Sequence, residues 1–290
     1  MAGNNMRDIK RRIKSNTSME QITKAMKLVS AAKLRKAKSI FDRIQENFNY
    51  VSESIEEVFH NADGVPDEYL AGGREIKRTA YIIITSNRGL CGSFNSNVIK
   101  EAVTLMENDP GEPVIIAIGS KGRDYFAKRN YEICAEYMLP PEDISFLDVR
   151  NIITRPVVGM YNRGEIDRII LVSTRFISTL TQETETQTLL PLEVGEKNLG
   201  MPALPYSMEY GPSVEEVFNY LVPKYVEIRL YSAIVESATS EHAARRMAME
   251  SATDNANEMI NELTMNYNRA RQAAITREIT EIVGGAEALA

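Results

Sequence analysis

From Ser213 to Val283, spacings of three and four recur without slipping. The seam runs Val214, Phe218, Leu221, Tyr225, Ile228, Ser232, Val235, Thr239, His242, Arg246, Met249, Thr253, Ala256, Ile260, Leu263, Tyr267, Ala270 and Ala274. This is a heptad pattern. Pro212-Ser213 reads as its start and Gly284-Gly285 as its stop, with Pro223 the strong breaker between them. About seventy residues at ~1.5 Å each predict a rod of roughly 105 Å. A single helix cannot bury a stripe alone, so the rod needs a partner. The middle of the seam is small or polar (Ser232, Thr239, His242, Arg246, Thr253), which predicts loose packing or contact with other proteins.

A second helix pattern covers Asn4 to Phe59, roughly 80 Å if unbroken. From Leu34 its seam is regular: Leu34, Ala37, Phe41, Ile44, Phe48, Val51, Ile55, Val58. Upstream, Ile22, Met26 and Val29 keep the spacing in a shifted register, which predicts a stutter near Ser30–Lys33. His60 to Gly73 reads as a loop.

Between the helices the pattern changes. Arg78–Ser86, Val114–Ile118 and Arg168–Ser173 are short, nearly continuous apolar runs, as in strands buried on both faces of a parallel sheet. Helical stretches at Ser96–Asn108, Lys121–Asn130 and Ser145–Tyr161, the last interrupted by Pro156, alternate with them. This predicts an α/β domain. Leu180–Leu190 is Thr-rich and polar on both faces, an exposed edge strand, and Glu193–Pro212 is a Gly- and Pro-containing loop. The layout is helix, α/β insert, helix. If the ends of the insert lie close together, the outer helices pair antiparallel. The C-terminal one, longer by roughly 22 Å, then projects a lone apolar tip (Ile275, Ile279, Ile282, Val283, Ala286, Ala288, Leu289) that needs a cap.

Charge changes this picture more than composition does. The net charge is −6. Residues 1–43 hold twelve Lys/Arg against three Asp/Glu, whereas residues 212–290 hold seven against twelve. A basic arm beside an acidic helix favours their pairing and leaves a positive face for an acidic partner. No run of eighteen apolar residues predicts a membrane span, and the N-terminus lacks the apolar core of a secretion signal. Two cysteines, Cys91 and Cys134, suit a reducing compartment.

Candidate chemistry is thin. Ser86–Asn95 (SNRGLCGSFN) is a glycine-containing turn between a strand and a helix, a context for phosphate binding. It lacks a Gly-Lys-Ser/Thr ending and a G-x-G-x-x-G, as does Gly119-Ser-Lys-Gly122 after the next strand. A plain βα turn is the simpler reading of each. Cys91 has no sequence-local base, and His60 and His242 are too far apart in sequence for a usual zinc site. No catalytic residue, cofactor or metal is expected.

Four stretches, in order along nearly the whole chain, resemble the γ subunits of F-type ATP synthases. They are Ile22–Leu34 (ITKAMKLVSAAKL), SNRGLCGSFN, GSKGRDYF, and Ser251–Asn255 with Asn268–Ala286 (NRARQAAITREITEIVGGA). The resemblance implies a long antiparallel coiled coil of the N- and C-terminal helices with an inserted Rossmann-like α/β domain. It divides the chain into helix 1–60, α/β domain 75–195, foot loop 196–211 and helix 212–290. It also implies a non-catalytic shaft inside a hexameric ring of α and β subunits, in contact with an ε subunit. The foot rests on a membrane c-ring, and the protein is peripheral on the cytoplasmic side of the cell membrane. Membrane contact comes only through the c-ring, and no nucleic acid is involved. Residue by residue, Met26, Lys24, Lys27, Arg245, Arg271 and Gln272 match positions facing β subunits. Ile279, Ile282, Val283 and Leu289 match the apolar end that turns in a collar. Tyr206 and Glu209 match a foot segment, with Met208 where the family has an aromatic residue and Tyr210 where it has proline. The regulatory cysteine insert of the plastid form is absent.

Two rivals remain on residues alone. A basic coiled-coil module would bind DNA or anionic membrane with steep salt dependence. An α/β nucleotide-dependent enzyme would hold ATP or ADP at Ser86–Asn95.

Overall fold

The computed structural model describes residues 2–61, 66–72, 74–138, 145–192, 211 and 213–287. Helix α1 is Ala2–Asn61; α6, the last helix, is Val214–Glu287. Between them run β1 (Arg78–Ile84), α2 (Phe94–Asn108), β2 (Glu112–Ile118), α3 (Ser120–Ala127), β3 (Glu132–Tyr137), α4 (Phe146–Asp148), a π-helical turn (Val149–Thr154), α5 (Arg155–Asn162), β4 (Arg168–Phe176) and β5 (Gln182–Leu190). The chain forms two compact units, residues 32–244 and residues 1–31 with 245–290.

The larger unit is built on a five-stranded sheet of order β3-β2-β1-β4-β5, the first four strands parallel and β5 antiparallel at the edge. The apolar runs bury both faces. Ala80, Ile82, Ile84, Ile116, Ile118, Ile169 and Leu171 face a core shared with α5, with Ile55 of α1 and with Phe218 to Ile234 of α6. Their strand neighbours Tyr81, Ile83, Ile115, Ala117, Ile170 and Val172 face α2 and α3. The pleat's period of two sends alternate residues to opposite layers. Outside the parallel strands, polarity marks the edge: β5 carries Glu183, Thr184 and Glu185 on its open half.

Sequence reading did not find β3, whose six residues EICAEY hold one large aliphatic side chain. Asn130, at φ 60, turns the chain out of α3 into it. The expected interruption of the 145–161 stretch near Pro156 takes the form of a widened turn. Pro156 lies in the first turn of α5, just after the π-helical turn. Proline lacks an N–H and crowds the carbonyl four residues back, so the helix widens for one turn instead of breaking. Pro223 likewise lies inside α6. The expected stop at Gly284-Gly285 is also passed, since α6 continues to Glu287.

The α6 seam stands as read: none of its eighteen residues is exposed. In the larger unit α6 buries more than that stripe. Val222, Val226, Leu230, Ile234 and Ala238 are buried as well, because the sheet covers a second face. The α1 seam needs correction. Within 32–61 it holds at Leu34, Ala37, Phe41 and Ile55, but Ser52 is buried where Val51 was expected.

In the smaller unit the correction is larger. Ile22 and Val29 are 55% and 57% exposed, whereas Thr23 and Ser30 are 5% and 3% exposed. The buried line 23, 26–27, 30 simply continues the three–four spacing upstream from Leu34, so no stutter is needed. Apolar identity misled the reading. On α1 the small polar residues Thr23 and Ser30 are turned inward and the large apolar Ile22, Leu28 and Val29 outward.

Candidate interaction surfaces

The turn at Ser86–Asn95 is filled by its own side chains. Asn95 Oδ1 accepts from Ser86 N–H (2.9 Å), and its Nδ2 donates to Ser86 Oγ (2.8 Å) and to Cys91 Sγ (3.2 Å). Ser86 Oγ donates to Arg88 O at 2.6 Å, and Cys91 is buried. Gly119 and Gly122 also have packing reasons. Gly119 stands at φ +97, and a Cβ there would come within 2.0 Å of Thr85 O. Gly122 N–H donates to Thr85 Oγ1 at 2.9 Å, and Asn87 Oδ1 accepts from Ser120 N–H at 3.1 Å. Both motifs therefore tie the ends of β1 and β2 to α3. The cavity near this edge, lined by Ser93, Phe94, Asn97, Thr174, Gln182, Thr184 and Ala244, measures about 40 Å³. Small-molecule pockets measure roughly 300–1,000 Å³, far more than this cavity.

A second polar cluster lies at the opposite edge of the sheet. Tyr81 Oη donates to Asp109 Oδ2 (2.6 Å), Gly111 N–H donates to Asp109 Oδ1 (3.0 Å), and Arg168 pairs with the same carboxylate and with Thr79 Oγ1. Burial pushes the Asp109 carboxyl up, but the hydrogen bonds from Tyr81, Gly111, Thr79 and Arg168 outweigh it and hold it below the usual carboxylate range. Burial and the Asp109 bond both push the Tyr81 phenol up. Every group here is answered by a neighbour, and the cluster joins strand starts to the end of α2.

In the smaller unit, α1 and α6 run antiparallel. Thr253 Oγ1 donates to Thr23 Oγ1 at 2.8 Å, and Lys27 Nζ meets Glu250 Oε1 at 2.7 Å. The Lys27 ammonium, bonded to Glu250, lowers that carboxyl. Continued at the same rise, this register sets the start of α1 opposite about residue 275 of α6. Ile275, Ile279, Ile282 and Val283 are exposed beyond it. Outward-facing apolar residues also stand on the flanks: Met19, Ile22, Leu28 and Val29 on α1, Met259 and Met265 on α6. Exposed apolar residues therefore recur on both helices and at the tip.

The residues singled out by sequence fall into three groups. Lys24, Arg271, Gln272, Ile279, Ile282 and Val283 are exposed. Lys24 lies 3.8 Å from Glu20 of its own helix. Met26 and Lys27 are half-buried, Lys27 on Glu250. Arg245 is buried, at 8% exposure. Tyr206, Glu209 and Leu289 lie outside the described residues. Sequence reasoning missed the outer apolar set on α1. The signal was present: Leu34's spacing carried upstream selects Thr23 and Ser30, leaving Ile22 and Val29 on the far side.

A family model described as ATP synthase matches residues 5–289. The ATP synthase gamma chain of Alkaliphilus metalliredigens is 48% identical over 290 residues, covering 99% of each chain. The chain belongs to the ATP synthase gamma-chain family. Another relative, the "ATP synthase gamma chain, sodium ion specific" of Acetobacterium woodii, is 43% identical, covering 98% of this chain and 99% of that one. A chain of the Euglena gracilis mitochondrial ATP synthase (OSCP/F1/c-ring) superposes with a TM-score of 0.75 at 22% identity, covering 99% of this chain and 95% of that one, and shares its fold. A gamma chain is a non-catalytic central-stalk subunit.

Proposed function

We propose that the chain works as the central shaft of a membrane-bound ATP synthase, coupling ion flow through a c-ring to ATP synthesis or hydrolysis at β subunits. The observation that carries this is the helix pair of the smaller unit, where Thr23 is buried and bonded to Thr253 while Ile22, Leu28 and Val29 of the same helix face outward. A helix pair meant to stand in water would place those residues inside. An asymmetric pair inside a ring presents a different face to each β subunit. Differences in contact energy between those faces then drive the sites through their conformations, and the shaft itself carries no chemistry.

In this reading Ile279, Ile282, Val283 and Leu289 turn in the apolar collar of the α/β ring. Arg271 and Gln272 engage a β subunit, as do Met26, Lys24 and Lys27, the last sharing its charge with Glu250. Arg245 is assigned to the same β-facing set, and in the isolated chain it is buried. The division into helix 1–60, α/β domain 75–195, foot 196–211 and helix 212–290 assigns ε binding to the α/β domain and c-ring contact to Tyr206 and Glu209 at the foot. The protein is peripheral on the cytoplasmic face of the cell membrane. Among the described residues no helix is long and apolar enough to cross a membrane, and membrane contact is assigned to the c-ring alone.

The test is recovery of the tagged chain from native membranes, followed by mass identification of partners. Co-purifying α, β, ε and c subunits are expected. Recovery without α and β, or salt-sensitive retention on DNA or anionic vesicles, would refute the shaft. In the assembled complex, neutralising Lys24, Lys27 and Lys33 together is expected to lower coupled ion pumping, and unchanged pumping would remove the basic face from the mechanism.

A further inference from the structure

Strand β4 outruns β1. The two pair from Thr79 opposite Arg168 to Ile83 opposite Val172, yet β4 continues to Phe176. The chain of β1 leaves at Thr85, whose N–H turns to Ile118 O of β2. One edge of the β4 extension still pairs with β5, Thr174 opposite Thr184 and Phe176 opposite Gln182. The other edge has lost its strand, and backbone N–H groups enclosed there need acceptors. Helix α6 supplies them from side chains: Thr174 N–H lies 3.2 Å from Ser237 Oγ, and Phe176 N–H donates to Glu236 Oε1 at 2.9 Å. From α1, the Phe41 ring meets the Phe176 ring edge-on at 6.0 Å.

The place matters. Strand order reverses between β1 and β4, and open α/β sheets hold their ligands in the crevice where two such strands part. Here Ser237, Thr239, Ser240 and Ala243 of α6 are buried at that level, and the cavity left measures about 40 Å³. We infer that this crevice is a socket for the chain's own α6. Ser237 and Glu236 are the positioning residues that hold the β4–β5 hairpin on the helix. Resting on the shaft reading, the socket is also where turning force passes between helix and α/β domain.

Amide-resolved hydrogen exchange on the purified chain tests the socket. In S237A/E236A, exchange at Thr174 and Phe176 is expected to speed at least about tenfold while Ile82 and Ile116 keep their protection. E236Q, whose amide oxygen still accepts, keeps Phe176 protected. Should the double variant not accumulate, S237A alone is read at Thr174. Unchanged exchange at these amides, or equal acceleration throughout the sheet, overturns the socket. In the reconstituted complex, ions pumped per ATP hydrolysed are expected to fall severalfold in S237A/E236A and not in E236Q. A ratio equal to the unaltered chain's overturns the transmission of force. An unaltered chain that supports no pumping refutes the shaft reading instead and leaves the exchange result standing.

Discussion

Two stretches of one helix live under opposite rules. Between Val222 and Ala243, α6 is buried on nearly every side, against the sheet as well as beneath its heptad seam. Between Ile275 and Val283 the same helix holds four large apolar residues in solvent. The first stretch spends its hydrophobic surface on folding. The second leaves it exposed, and on the proposed shaft reading it is covered only in the assembled complex. Stability and function should therefore separate cleanly along α6, and substitutions can be ranked by how sharply they divide it.

The largest stability effect belongs to the enclosed stretch. Phe218→Ala removes a fully buried ring and should cost about 3–5 kcal/mol, read by chemical denaturation of the isolated chain. A loss below about 1 kcal/mol would mean that α6 is not part of that core. Next comes the polar cluster beneath the sheet. Asp109→Ala leaves the Arg168 guanidinium and the Tyr81 hydroxyl without their shared acceptor and should cost about 1–3 kcal/mol. Its pH dependence has a fixed sign. The Asp109 carboxyl is held below its unfolded value, so its contribution is present above that value and is lost as pH falls through the lowered one. Glu236 has the opposite sign. Burial raises its carboxyl against the Phe176 N–H bond that lowers it, with Glu185 raising and Arg175 lowering it further. The stability linked to its ionisation is present below the unfolded value and lost as pH rises through the raised one. E236Q should flatten that component in melting curves taken across mildly acidic pH.

Smaller still is the Thr23–Thr253 bond in the helix pair. A double-mutant cycle with valine at each position should give a coupling of about 1 kcal/mol. At the exposed end, Ile279→Ser with Ile282→Ser should change the stability of the isolated chain by no more than about 0.5 kcal/mol, yet slow ATP-driven rotation or turnover in the complex. Equal turnover would remove the collar role. Last, Lys27→Gln should leave the melting temperature of the isolated chain unmoved, because its partner Glu250 is at the surface and exposed ion pairs contribute little.

Much of this was legible in advance, for reasons that differ by region. The α6 seam was readable because a three–four repeat over so many turns survives the substitution of Ser, Thr or His at single positions. The parallel strands were readable because burial on both faces leaves continuous apolar runs. β3 was not, since an edge strand needs few apolar residues and Ile133 is its one large aliphatic side chain. The inner face of α1 was misread at Ile22 and Val29 because hydrophobicity was followed where the spacing from Leu34 decides.

The sequence by itself determined the two long helices, the alternation of strands and helices between them apart from β3, an exposed edge strand and the family. Each follows from periodicity or from motifs local in the chain. Only the tertiary structure decided which face of α1 turns inward, that Lys27 meets Glu250, and that the glycines at 119 and 122 serve close packing rather than a ligand. It alone showed that Ser237 and Glu236 complete β4 where β1 departs. Those outcomes depend on what stands across from a residue, and residues some thirty to more than two hundred positions apart meet only after the chain has folded.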